Sequence, residues 1–344
     1  MKKIIQQAFF QLRNQPLLSV ITVLGTALAI ALIMVILIVY QAKTADYAPE
    51  VNRSRSLYVK WERTVYDKKD PNSAGHSRPS LWLVKEIFYP LTTPEAVTAT
   101  YEGGEVLVGT VGSDEEMNTP LMLTDAAFWK VYQFRFLAGK PFTEADFQSG
   151  MKQAVIAKSV ARRLFGGAEN AIGKDILVNF AAYTVCGVVD DVNRFCEFTW
   201  SEVYAPYTSN AIASEAEAGQ TSGNNVITIL ARSTDDFDAI RNEVARGVAQ
   251  INTTLGDMEL QLMGQPDNFR MQLNRKFANQ YENLNANFWK YGIMILIILL
   301  VPAINLSGLT NTRMRRRLEE LGIRKAFGAV SYTHLRAHET KANL

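Results

Sequence analysis

LLSVITVLGTALAIALIMVILIVY, residues 17–40, carries no charged side chain, and the uncharged window around it runs from Asn14 to Ala42. As a helix, this run is long enough to cross the hydrocarbon core of a bilayer, roughly 30 Å thick. A second uncharged window lies between Lys290 and Arg313, centred on YGIMILIILLVPAINLSGL. It is less apolar and contains Pro302 and Asn305, yet it also reads as a span. Two spans place all the residues between them on one side of the membrane. The expected fold class is therefore a membrane protein of α+β type. Transmembrane helices at 17–40 and 290–310 flank a two-lobed mixed α/β extracytoplasmic domain, which connects to the second span through a helical stalk.

The flanking charges decide which side. Lys2, Lys3 and Arg13 precede the first span, and Arg313, Arg315, Arg316, Arg317, Arg324 and Lys325 follow the second. Basic residues near span ends favour the cytoplasm, so residues 43–289 are expected outside and both ends of the chain inside. A cleaved signal peptide fits poorly: the apolar run exceeds a signal core, and Tyr40-Gln41-Ala42 offers no small-residue cleavage site. Ile4, Ile5, Ala8, Phe9 and Leu12 share one helical face, which predicts an interfacial amphipathic helix over 1–16, with Pro16 as the turn into the membrane. The formal net charge of +2 gives no case for a nucleic-acid partner.

Between the spans, residues 41–266 read as a domain of strands and helices. SRSLYVKW (54–61) has strand composition, and SLWLVKEIFYPL (80–91) reads as a helix ended by Pro90. NNVITILARS (224–233) reads as a strand, Ser233-Thr234-Asp235 as a helix cap, and MELQLM (258–263) as another strand. After the cap, Phe237, Ile240, Val244, Val248 and Ile251 recur at helical spacing. Short β runs and glycine turns concentrate at about 105–207, which predicts a separate middle lobe there. After Pro266, the residues Phe269, Leu273, Phe277, Tyr281, Leu284 and Phe288 form a helical stripe, which predicts a continuous stalk over 267–289.

Catalytic constellations are missing from the sequence. GGAENAIGKD (166–175) imitates a phosphate loop but has Ala168 where glycine is needed and Asp175 where Ser or Thr is needed. No metal or cofactor site is expected in the chain. Cys186 and Cys196 could form a disulfide in an oxidising compartment; the place of Cys186 in a strand interior favours two unpaired thiols. His76, in PNSAGHSRP, reads as a solvated loop residue, and Asp190-Asp191 as an acidic strand end with no partner for proton transfer.

Several blocks, in order, resemble MacB-like and FtsX-like ABC transporter permeases: RNQPLLSVITVLGTALAIA, GKPFTEAD, ARRLFG, AIGKDI, YTVCGVVDDV, AINLSGL and RRRLEELGIRKAFGA. Bottom-up, the middle blocks look structural, with Gly139 and Gly173 at turns that need a positive φ and Gly166-Gly167 ending a helix. The resemblance implies a permease subunit of the inner (cytoplasmic) membrane, multi-pass, with its main domain periplasmic. It also implies ATP and magnesium on a separate ABC ATPase subunit, a second permease copy, contact with membrane lipids, and a periplasmic or outer-membrane partner. Residues 311–329 would be the cytoplasmic coupling segment, with Glu320, Gly322, Arg324, Lys325 and Gly328 at the ATPase contact. Such permeases continue with further membrane helices, whereas SYTHLRAHET within 330–344 resembles a non-native read-through and is set aside. The rival readings are a two-span sensor or binding module, whose mark would be a downstream signalling domain, and an FtsX-like activator of a cell-wall hydrolase.

Overall fold

The computed structural model describes residues 16–110, 112, 115–210, 218–278, 280–281, 289–290, 292–300, 302–304, 318–319, 322–323 and 326. The chain divides into two compact units, one of Gln41–Asn283 and one of Met1–Tyr40 with Leu284–Leu344. The predicted interfacial helix at 1–15, most of the coupling segment and the tail at 330–344 lie outside the described residues.

The apolar run forms one helix, Pro16–Thr44, broken by no glycine or proline beyond Gly25 and its first residue. Leu17, Val20, Ile21, Leu24, Leu28 and Ile30 are all more than half exposed. Such a helix has no core to bury its side chains and matches a lipid-facing one. Among the described residues it is the one helix long and apolar enough to cross a bilayer. The expected second span at 290–310 is represented by a shorter apolar helix, Gly292–Ile304, and otherwise falls outside the described residues.

The unit Gln41–Asn283 is built on a ten-stranded sheet. Its strands, in spatial order, are β14 (Asp267–Asn268), β1 (Ser56–Val59), β12 (Asn225–Leu230), β4 (Ala96–Gly109), β5 (Glu116–Thr124), β10 (Val203–Pro206), β7 (Gln153–Ala157), β9 (Ala181–Val189) and β6 (Phe136–Gly139). A tenth, β8 (Asp175–Val178), pairs with both β9 and the far end of β4. The pairing therefore runs from β4 through β5, β10, β7, β9 and β8 back to β4, a closed ring of six strands. Val106, Val108, Ile156, Ile176, Val185 and Val203 are buried within this region. The four remaining strands extend from the ring, with β12, β1 and β14 attached through the first half of β4.

The expected middle lobe at about 105–207 falls on this ring, inside the single unit Gln41–Asn283. The ring also draws on residues before 105: β4 begins at Ala96, serves both parts, and carries a bulge at Glu102/Gly104 inside its ladder with β5. Gly104, at φ +72, supplies the backbone the bulge needs. Shared backbone hydrogen bonds make the lobe a region of one body.

A second, four-stranded sheet runs β11 (Ser222–Gly223), β3 (Asp70–Pro79), β2 (Glu62–Asp67) and β13 (Glu259–Gln261). His76 lies in β3 opposite Arg63, with its ring 5.5 Å from Phe277, so the loop reading is corrected. The polar, glycine-containing composition of 70–79 conceals a strand that is only half-buried. The helix Phe237–Thr254 buries Ile240, Val244 and Ile251, as its spacing predicts, and Ser233 caps the 3-10 turn Thr234–Asp236 that leads into it, with a capping box to Asp236. Gly166 ends the helix Lys158–Phe165 in the left-handed conformation, at φ +76. The segment 80–88 is helical, Leu81–Leu83 followed by a π turn, Val84–Phe88.

Over its described part the expected stalk at 267–289 is not one continuous helix, and residues 279 and 282–288 lie outside the described residues. Residues after Pro266 give a short helix, Phe269–Asn274, and then β15 (Arg275–Phe277) paired with β16 (Gln280–Tyr281). The stripe is interrupted because Arg275 turns inward to a buried carboxylate, which an uninterrupted exposed helix would not allow.

Two outcomes follow for residues 41–283 expressed alone. At Gly139, φ is +64 and an added Cβ would run into the Cys186 carbonyl oxygen and Ile172 Cδ1. Gly139→Ala should therefore lower stability by about 2 kcal/mol or more in chemical denaturation. The second concerns Glu62, which is fully buried and accepts hydrogen bonds from Thr64 Oγ1 (2.7 Å), Ser77 Oγ (2.6 Å) and Ser222 Oγ (3.2 Å). Burial pushes its carboxyl above the ordinary range, and these hydroxyls with His76 pull it back only in part. The unfolded chain then releases this proton at lower pH than the folded one. Stability from Glu62 is whole below the ordinary carboxylate pKa and is lost as pH rises through the raised folded value. Denaturation midpoints measured from about pH 4 to about pH 8 should fall, and Glu62→Gln should remove that group's share of the slope.

Candidate functional site

The chain comes into the external domain through residues 45–55 and leaves it through 263–281. Ala45 N donates to Gln41 O (2.9 Å), continuing the last turn of the apolar helix. The chain then turns through a cis Ala48–Pro49 bond and a bridge between Tyr47 and Glu50 to reach Arg53, in the 3-10 turn Arg53–Arg55.

Arg53 is 1% exposed. Its Nε donates to Glu50 Oε2 (2.7 Å), its Nη1 to the Ala45 carbonyl (2.8 Å) and its Nη2 to the Phe195 carbonyl (3.1 Å). The guanidinium carbon also sits 4.4 Å from the Tyr47 ring centre and 4.9 Å from that of Phe269. A buried guanidinium is tolerated where its charge is paired and its donors are filled, and the planar fork suits this better than an ammonium. Glu50 Oε1 accepts from Phe198 N (3.0 Å) and Thr199 Oγ1 (2.9 Å). Nearby, Asp46 holds Ser54 through both its amide and its hydroxyl, Asn52 Nδ2 donates to the Val131 carbonyl, and Arg55 Nη1 to the Ala231 carbonyl. Within the eleven residues after the apolar helix, Glu50, Asn52, Arg53 and Arg55 are thereby fixed to strands and loops far along the chain.

The outbound segment repeats the device. Asp267 and Arg275, both fully buried, pair through Nε–Oδ2 (2.5 Å) and Nη2–Oδ1 (3.0 Å). Arg275 also donates to the carbonyls of Ala278 (2.6 Å) and Met263 (3.1 Å). Just ahead, the Gln265 side chain accepts from Lys60 N (2.8 Å) and Trp61 N (3.2 Å) and donates to Trp61 O (2.6 Å), as a strand neighbour would. The two segments meet in the sheet: Leu57 pairs with Asn268 and Tyr58 with Asp267. Phe269 lies beside both Arg53 and the Tyr58 ring, the latter at 5.7 Å between centres, and Phe198 stacks on Tyr58 at 4.4 Å.

Of the residues singled out in the sequence, Gly322 is helical with open space around its Cα, and Glu320, Arg324, Lys325 and Gly328 lie outside the described residues. Cys186 and Cys196 are both free. Cys186 lies in β9 and donates to the Ala154 carbonyl at 3.4 Å; burial pushes its thiol up to about 12, so it carries no thiolate at neutral pH. Asp190 pairs with Arg135 and Lys158, and Asp191 accepts from Ser159 N, which are structural contacts. Among the described residues no group of three or more His, Cys, Asp or Glu converges as a metal ion would require.

Sequence reasoning missed Glu50, Arg53, Asp267 and Arg275. In APEVNRSRS a charged residue reads as solvated, and the only local signal is the spacing of three between Glu50 and Arg53. Nothing in sequence marks Asp267 and Arg275 as partners, because their burial depends on β1 arriving from some two hundred residues earlier.

Residues 19–246 match the family described as the MacB-like periplasmic core domain. The macrolide export ATP-binding/permease protein MacB of Wolinella succinogenes is 25% identical over 332 residues, a match that covers 94% of this chain and 47% of the relative. The ABC transporter permease YknZ of Bacillus subtilis is 21% identical over 316 residues, with 90% of this chain and 74% of that protein covered. The solved periplasmic region of MacB from Actinobacillus actinomycetemcomitans is 15% identical, with a TM-score of 0.41, over 59% of this chain and 88% of that structure. The chain spans about half the length of the MacB relatives it matches. Because the family match takes in most of the apolar helix and the external domain through the middle of the helix Phe237–Thr254, the chain belongs to the MacB-like periplasmic core domain family, that of the MacB-like ABC transporter permeases.

Proposed function

We propose that this chain is the membrane-anchored permease part of a transporter in which a separate ABC ATPase supplies the energy and the external domain delivers the movement. ATP and magnesium bind the partner, whose closure shifts the cytoplasmic segment 311–329. A second span over 290–310 carries that shift outward, and the periplasmic domain changes shape in response. Two copies of the permease act together in the inner membrane, and the cargo need not pass between the membrane helices.

One observation carries this reading. The segments by which the chain enters and leaves the external domain are hydrogen-bonded neighbours, β1 and β14, and each is anchored by a fully buried arginine–carboxylate pair. A domain that only bound a ligand could be joined to its membrane segments by loose linkers. Here a displacement of either connection is delivered to a ten-stranded sheet through backbone hydrogen bonds.

The cytoplasmic end is tested by charge. If Arg324 and Lys325 meet acidic groups on the ATPase, changing both to Glu places like charges across the contact and should weaken association by about 2–5 kcal/mol, more at low salt than at high. Gly322→Val should also weaken it, through lost close approach, with little dependence on salt. The measurement is co-purification with a cognate ABC ATPase, together with permease-stimulated ATP hydrolysis. Retained association and stimulation in both variants, with loss when Arg315, Arg316 and Arg317 are reversed instead, would reduce 318–329 to a simple flank of the span.

A further inference from the structure

Two connections can drive a domain in two ways. They can move against each other, opening the domain between them, or they can move together and carry it as one body. The contacts between the inbound and outbound segments choose between these. β1 and β14 are paired through Leu57–Asn268 and Tyr58–Asp267, a short ladder that could shear if nothing else held it. Arg53 adds what the ladder lacks. One arm of its guanidinium takes the carbonyl of Ala45, the residue that follows the apolar helix, while its face lies 4.9 Å from the ring of Phe269, the first residue of the outbound helix Phe269–Asn274. The same group is held on Glu50 and on the Phe195 carbonyl, so it cannot follow one segment without dragging the other.

We propose that Arg53 is the positioning residue that fuses the two connections into a single root, so that the external domain responds to their common displacement and resists their separation. This rests on the permease reading for its purpose, but its geometry lies wholly within the unit of residues 41–283. Phe269 is the receiving element. Its ring meets Arg53 on one side and the Tyr58–Phe198 stack on the other, at 5.7 Å and 6.4 Å between centres. The Asp267–Arg275 pair then fixes the outbound turn to the ladder, so a pull that arrives at Phe269 is passed on to 275–278.

The test is hydrogen exchange on the whole chain in lipid nanodiscs, read segment by segment. Arg53→Met removes the charge and the fork but keeps apolar bulk. Amides in 45–54 and in 268–278 should both exchange faster, by roughly twofold to thirtyfold, the loss expected of a desolvated cation–π contact, while those of β7 and β9 keep their protection. Arg53→Lys, which keeps a cation near Phe269, should leave 268–278 nearer to the wild type than Met does. Phe269→Leu spares the ion pair with Glu50 and should loosen 45–54 as well as 268–278, the response a one-sided anchor would not give. Should Arg53→Met fail to fold, Phe269→Leu alone carries the comparison, because it removes the ring contact with every polar partner of Arg53 in place. Faster exchange confined to 45–54, or spread equally over every strand, overturns the proposal. ATPase association is not part of this readout: a joint response of the two segments without any ATPase partner would leave the root standing and remove the permease mechanism, and intact ATPase stimulation with independent segments would do the reverse.

Discussion

A guanidinium removed from water has to be answered on every side, and the inbound end of this domain is arranged around that requirement at Arg53. Its three nitrogens are met by one carboxylate and two carbonyls and its faces by two aromatic rings. The partners come from 45–50, 195 and 269, so the charge can be buried only when distant parts of the chain have converged. Ion pairs of this kind add little net stability over a well-packed apolar core, but they heavily penalise any arrangement that leaves one member unmatched. The site therefore specifies where the chain comes in more strongly than it strengthens the fold. Asp267 and Arg275 impose the same condition at the way out.

Between these anchors the domain is organised by one long strand. β4 gives its first half to β12 and its far end to β8, and pairs with β5 from Thr100 onward. It is thus the shared edge of the closed ring and of the extension that holds both chain connections. The aromatic cluster of Phe128, Trp129, Tyr132, Phe134, Phe142 and Tyr204 packs near this junction, with Tyr132 bonded to Thr228 of β12. Asp125, at the end of β5, reinforces it by accepting from Thr98 Oγ1, Ala99 N and Phe128 N. Rigidity across the ring boundary comes from these bonds, which leave the bulge at Gly104 as the local irregularity in the strand.

Local features were legible in the sequence. The apolar helix, the strand at 225–230 followed by its capped helix, and the positive φ of Gly139, Gly166 and Gly173 all depend on neighbours a few residues away. Features that depend on partners far along the chain were not. The stripe from Phe269 to Phe288 fits a helix by spacing, yet Arg275 within it is claimed by Asp267 and the stripe breaks. Residues 70–79 look like a loop and become a strand because β2 and β11 flank them. Ring closure through β8 has no sequence signature, since Val108 and Val178 meet across some seventy residues. Of the candidate site, the family resemblance pointed to the segment 318–329, while the four buried charges at Glu50, Arg53, Asp267 and Arg275 look in sequence like ordinary surface residues.

The pairing of β1 also bears on how the protein is made. This strand follows directly after the apolar helix, but its two neighbours, β12 and β14, are at 225–230 and 267–268. During synthesis Leu57, Tyr58 and Val59, all buried in the finished domain, must wait for well over a hundred residues with no edge to join. Long-range pairings of this kind form slowly and leave apolar surface open to aggregation. The ring strands, all encoded in between, have every partner they need sooner. A nascent chain would thus assemble the ring first and seat Arg53 last, once Phe269 has been made.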